Sequence, residues 1–222
     1  MPKGAAPSRR PAAVGPSPTA AAAPLRALRL FAVNPSALPQ RALRGIVVHV
    51  QALAIAVVVF AAMIVEARRA ARNERAQRRQ GGVEPAGDVY KWMRLLYPAA
   101  FAAMIAEGVW RGAPPGGVAA GGAIVFAGAK LLKWWAIVTL GPFWTFRVIV
   151  VPGRALVSRG PYRWLRHPNY VGVVGELLGV ALMTGAVIAA PVMSAIFTAL
   201  LLKRIRIETR ALNEARLRSP TS

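Results

Sequence analysis

The chain has 222 residues, 55% of them hydrophobic, and 29 Lys and Arg against 8 Asp and Glu leave a net charge of +21. At a mean hydropathy of +0.43 the apolar content is too high and too clustered for an ordinary soluble domain. The charge is therefore assigned to orienting membrane spans and meeting anionic lipid, not to nucleic acid. The absence of cysteine excludes thiol catalysis, disulfides and thiolate metal sites, and with His49 and His167 as the only histidines a histidine metal cage is excluded too.

Residues 1–44 read as a disordered Pro/Ala-rich tail followed by a basic segment, without the continuous apolar core of a signal peptide. Residues 45–222 read as one integral-membrane domain, an all-α polytopic helical bundle of about five transmembrane helices. Gly45 to Val65 is uncharged and long enough to span, with His49 and Gln51 at an interface or bonded to a neighbouring helix. The connector from Glu66 to Met93 is rich in arginine and is expected on the cytoplasmic side, the first helix continuing as an exposed basic helix to about Arg79. Trp92 to Trp110, with Pro98 and Glu107 inside it, and Val118 to Leu140 form the next two spans around a short Gly/Pro turn. Lys130 and Lys133 interrupt the latter, and the neighbouring Trp134 and Trp135 favour snorkelling to the head groups over an inward, ligand-binding role. Tyr170 to Leu202 overshoots a bilayer as one helix, so Gly185 and Pro191 predict a C-terminal helical hairpin. Two GxxxG pairs, Gly117 with Gly121 and Gly175 with Gly179, predict close helix packing.

Between these apolar stretches lies SRGPYRWLRHPNYVG, Ser158 to Gly172, where Gly160-Pro161 and His167-Pro168 break regular structure. Non-helical polar backbone beside a membrane is tolerated in protein or around a water-filled cavity, so this loop is a site candidate; the plainer reading is an interfacial loop with an aromatic belt. Arg204 and Glu208, spaced i, i+4, share one face of the last helix, as an ordinary surface pair or as a cation and carboxylate facing His167 and Tyr170. Glu176 is an intramembrane carboxylate, either functional or a buried packing residue.

The run GPYRWLRHPNYVG, followed about 35 residues later by RIRIETRAL, resembles the isoprenylcysteine carboxyl methyltransferases, integral-membrane enzymes with an RHPxY motif, a helical hairpin and a glutamate pair before a leucine. The resemblance covers residues 134–212 as the motif core. It implies S-adenosyl-L-methionine in a cytosolic loop pocket lined by Leu156, Val157, Tyr162, His167, Pro168, Asn169, Tyr170 and Glu208, with Arg204 on the acceptor side. It also implies a lipophilic methyl acceptor, whether a prenylated carboxylate, a phenolic or polyketide lipid, or a phospholipid amine. In-line methyl transfer needs neither metal nor covalent nucleophile, which suits this residue set; a phenol or amine would need a base, for which Glu176 is the candidate. Two positions depart from the family pattern: Thr209 replaces the second glutamate and Arg154 a histidine of the eukaryotic members. An NADPH-dependent sterol-type reductase, which shares an HPNYxG stretch, and a non-catalytic membrane scaffold are the alternatives. The positive-inside pattern places the domain in a bacterial inner membrane with the site facing the cytoplasm.

Overall fold

The computed structural model describes residues 39–151 and 157–218, with side chains through residue 214. Among these the helices are α1 (Gln40–Arg79), α2 (Tyr90–Arg111), α3 (Gly116–Leu140), α4 (Pro168–Thr184) and α5 (Ala189–Arg218), with 3₁₀ turns at Gly141–Phe143 and Gly160–Arg163. The β structure among them is an isolated antiparallel bridge between Val83 and Val150. The chain divides into Met1–Ala42 and Leu43–Ser222, and the architecture that follows belongs to the second unit.

α1 has 40 residues, about 60 Å at about 1.5 Å each, twice a hydrocarbon core of about 30 Å. As the sequence predicts, it runs without a break to Arg79. Its buried positions, Ile55, Val59, Glu66, Ala70 and Gln77, recur at four or seven residues and so form one stripe. Polar tethers are spread along that stripe. Gln51 Nε2 donates to the Met183 carbonyl at 2.9 Å, and Asn73 Nδ2 to those of Gly141 and Trp144 at 3.0 and 2.8 Å. Gln77 Nε2 donates to the Pro142 carbonyl at 3.0 Å. Gln51 thus bonds a neighbouring helix, one of its two expected settings.

α3 and α4 form the tightest seam, and small residues make it. A β-carbon on Gly179 would stand 2.7 Å from the Phe126 backbone nitrogen, and one on Gly175 2.8 Å from Ala129 Cβ. The Gly175/Gly179 pair therefore does what a GxxxG spacing predicts. The Gly117/Gly121 pair does not: both face open space, and Gly122, one position along, supplies the close approach to Gly179. The predicted hairpin is present, closing through Gly185 in the left-handed conformation (φ 66°). Glu107, near the end of α2, holds the start of α5 by accepting from the backbone N–H groups of Val187, Ile188 and Ala189 at 2.6 to 3.2 Å.

The core between the helices joins Val59, Phe101, Met104, Leu177, Val180 and Phe197. Outside it, Val50, Leu53 and Val57 of α1, Ile124, Leu131 and Val138 of α3, and Val174 and Leu178 of α4 are exposed, while Glu66, Lys133 and Glu176 are 1% exposed. Apolar outside and charged inside is the reverse of a water-soluble domain. α1 and Gly116–Phe143 are the two described segments long and apolar enough to cross a membrane.

Candidate active site at the loop end of the bundle

Two polar clusters lie in the bundle, and they differ in how completely their charges are paired. The inner one joins α1, α2, α3 and α4. Lys130 Nζ lies 2.8 Å from Glu66 Oε1 and 3.0 Å from Glu176 Oε2, and Lys133 Nζ lies 2.7 Å from Glu66 Oε2 and 3.3 Å from Glu176 Oε1. Tyr97 OH donates to Glu176 Oε2 in a short hydrogen bond, and its ring lies beneath Lys133. Two ammoniums and two carboxylates give a neutral cluster, the condition under which charges are tolerated at such depth. This corrects the expectation that Lys130 and Lys133 snorkel: their partners, Glu66 and Glu176, stand inside the bundle, and pairing there outweighs the pull of the interface. It also places Glu66, assigned by sequence to the solvated connector, in the interior.

The second cluster lies where α4 begins and α5 leaves the apolar core. His167 stands at the N-cap position of α4, without a side-chain capping bond, and Pro168 opens the helix, where a missing N–H is no loss. Two residues on, Tyr170 OH donates to Glu208 Oε2 at 2.6 Å and accepts from Arg204 Nε at 2.9 Å. The His167 and Tyr170 rings stack at 5.3 Å with 20° between planes. Arg204 and Glu208 share a face as the i, i+4 spacing predicts, but among the described residues they are joined through the Tyr170 hydroxyl instead of a direct ion pair. Arg204, 5% exposed, instead pairs Nη1 with Asp88 Oδ1 at 3.3 Å. Burial alone would lower its pKa, but Tyr170 and Asp88 raise it above the ordinary value, so the guanidinium stays charged. Burial, aided by Glu208, raises the Tyr162 phenol, which therefore stays protonated at neutral pH.

Asp88 is the residue that sequence reasoning missed. Besides Arg204 it accepts from the Tyr90 N–H through Oδ1 at 3.1 Å and from the Val148 N–H through Oδ2 at 3.2 Å. It ties together the start of α2, the loop after α3, and α5. That loop is held to the basic end of α1 and to the connector after it as well: Arg147 reaches Glu74 at 3.0 Å and Glu84 at 2.8 Å. The loop in turn holds the motif, since Trp144 Nε1 donates to Asn169 Oδ1 at 3.2 Å. Gly160, at φ 59°, lets the 3₁₀ turn sit on the end of α3, where a β-carbon would meet Thr139 Oγ1 at 2.6 Å.

Residues 122–214, which carry both clusters except Glu66, Asp88 and Tyr97, match the isoprenylcysteine carboxyl methyltransferase family. The chain is also 36% identical over 163 residues to the uncharacterised protein YpbQ of Bacillus subtilis, a match covering 73% of this chain and 95% of the relative. The chain belongs to the isoprenylcysteine carboxyl methyltransferase family. An uncharacterised protein of Haemophilus influenzae is 30% identical over 91 residues, 40% of this chain and 52% of that one. No solved structure matches. Family membership and the two apolar helices point to a membrane methyltransferase.

Of the residues the family resemblance singles out, the structure brings Tyr170, Glu208 and Arg204 into one chain of hydrogen bonds, with His167 stacked on Tyr170 and Asn169 fixed by Trp144. Pro168 is buried at the start of α4, Tyr162 is half-buried in the 3₁₀ turn, and Val157 is partly buried outside regular structure. Leu156 and Arg154 lie outside the described residues. Glu176 is not with them; it belongs to the inner cluster. Thr209 is exposed, so the departure from the family's second glutamate leaves the Tyr170–Glu208 contact as it stands.

Proposed function

We propose that the protein is an S-adenosyl-L-methionine-dependent methyltransferase acting on a lipophilic acceptor. In this reading residues 45–222 form a bacterial inner-membrane domain crossed by all five helices, with the loop end facing the cytoplasm. The observation that carries it is the bridge from Glu208 through Tyr170 to Arg204, which links the RHPNY turn of α4 to α5.

The residues fit the cofactor. Glu208 gives one oxygen to Tyr170 and no described residue takes the other, so a carboxylate oxygen is left to accept from hydroxyl or ammonium donors. His167, Asn169, Pro168, Tyr162, Val157 and Leu156 would complete its surroundings, and bound there it would supply an electrophilic methyl group on a sulfonium. Tyr170 donates to Glu208 and accepts from Arg204, so each keeps its charge and its orientation. Arg204, anchored by Asp88 and Tyr170, would hold the acceptor through its remaining N–H groups, which suits a carboxylate or another oxyanion. We assign Glu176 to cohesion of the bundle in place of its candidacy as a base, because two lysines and Tyr97 already engage its oxygens. Catalysis then rests on positioning and on exclusion of water.

The test is transfer of a labelled methyl group from the cofactor into a lipid extract by purified protein. Label in the lipid fraction, lost in Arg204→Ala and Glu208→Ala, supports the reading. Oxidation of NADPH with an unsaturated lipid, without methyl transfer, would establish a reductase instead.

A further inference from the structure

The bundle carries a second polar feature that methyl transfer does not use. Between α2 and α5, just outside Asp88, runs an open groove of about 810 Å³, within the range of small-molecule sites. Trp92, Ile196 and Leu200 form its apolar walls, and Lys91 and Lys203 stand on it. Both lysines are exposed, and neither is ion-paired among the described residues. Lys91 lies over the Trp92 ring, 5.4 Å from its centroid. The one acid in the lining, Asp88, already has Arg204, Tyr90 and Val148 on its oxygens, so the charge the groove offers is that of two cations. Leu95 and Val192, one turn further into the bundle from Lys91 and Ile196 on the same helices, are exposed apolar side chains.

A pair of uncompensated cations over an apolar channel between two helices has the chemistry of an anionic lipid site, head group on the lysines and chains along the helices. We propose that this groove binds one anionic phospholipid of the surrounding membrane, with its phosphate held by Lys91 and Lys203. The inference rests on the protein's being embedded in a bilayer and is independent of which group is transferred at Arg204. A neutral phospholipid carries a compensating cation in its head group, so the two lysines discriminate by charge. Two lysines near the surface correspond to a preference of about tenfold or more.

The experiment is native mass spectrometry of the delipidated full chain, titrated with phosphatidylglycerol and with phosphatidylcholine of the same acyl chains. The wild type is expected to keep one phosphatidylglycerol at least about tenfold more tightly than phosphatidylcholine. The Lys91→Gln/Lys203→Gln double variant is expected to bind both alike while its circular dichroism and melting temperature are unchanged. An Arg72→Gln/Arg75→Gln variant removes the same charge from the exposed side of α1 and is expected to keep the preference. Equal loss in both variants would show a general charge effect and overturn the site. So would an unchanged preference in the lysine variant. Methyl-transfer activity does not enter the readout, so failure here leaves the methyltransferase reading intact, and failure of that reading leaves this one testable.

Discussion

The inner cluster of Glu66, Lys130, Lys133, Glu176 and Tyr97 and the end cluster of Asp88, Arg204, Tyr170 and Glu208 are built from the same kinds of side chain, yet they do different work. In the inner cluster both lysines meet both carboxylates and the net charge is zero. Glu66 Oε2 and Glu176 Oε1 accept no hydrogen bond, but each faces a lysine, so no charge is left over for a ligand and what the cluster provides is cohesion among four helices. In the end cluster Glu208 is only partly buried, one of its oxygens is free of described partners, and Arg204 keeps N–H groups unused. A buried polar network whose charges are all paired holds a fold together; one left open at its edge can take a ligand.

That contrast is easiest to break by removing a charge. Lys133→Met leaves two carboxylates facing one ammonium, and the expected loss is about 3–5 kcal/mol, read as a large drop in melting temperature in detergent. Replacing Glu66, Lys130, Lys133 and Glu176 together by apolar residues should recover most of that loss, because a buried ionic cluster is often no better than well-packed apolar side chains. If the single variant melts like wild type, the cluster is not what joins the helices.

Tyr170→Phe acts on the other cluster. It should weaken S-adenosylhomocysteine binding about tenfold, on the order of 1.4 kcal/mol for a hydrogen bond to a charged group, with the melting temperature changed far less than in Lys133→Met. Asp88→Asn should raise the acceptor KM several-fold through a less well-held Arg204 while cofactor affinity stays within about twofold, as expected for a positioning residue. A loss of cofactor affinity as large as that of the acceptor would place Asp88 elsewhere in the scheme. The smallest effect is at Glu84. Burial pushes its carboxyl up, but hydrogen bonds from Arg78 and Arg147 outweigh that and hold it below the ordinary value of 4.5. A lowered carboxyl contributes stability that is whole above pH 4.5 and is lost as pH falls through its folded value. Acid melting curves of Glu84→Gln should therefore fall less steeply below that pH than those of the wild type.

The parts legible in the sequence are those whose causes are local. Gly185 and Pro191 mark the hairpin because an apolar run of that length overshoots a bilayer as one helix, and the arginines after Val65 mark the emergence of α1. His167-Pro168 marks the start of α4 because proline opens a helix without losing a hydrogen bond. Lys130 and Lys133 were misread because a lysine beside tryptophan looks the same locally whether it snorkels or pairs. Its partners lie 64 residues before Lys130 and 43 after Lys133, and only the helix packing brings them together. Asp88 had a weak local sign, an acid two residues before a helix start, but its bond to Arg204 spans 116 positions. Trp144 likewise reads as core, and only the fold shows its indole N–H on Asn169.

The central claim is that the open cluster, and not the closed one, is the cofactor site. Calorimetric titration of S-adenosylhomocysteine into detergent-purified wild type, His167→Ala, Glu208→Ala and the four-fold apolar variant of the inner cluster addresses it directly. Saturable binding to the wild type and to the inner-cluster variant, lost in His167→Ala and Glu208→Ala with their melting temperatures preserved, is the predicted result. Binding that survives in Glu208→Ala, or that disappears only with the inner cluster, would contradict the account.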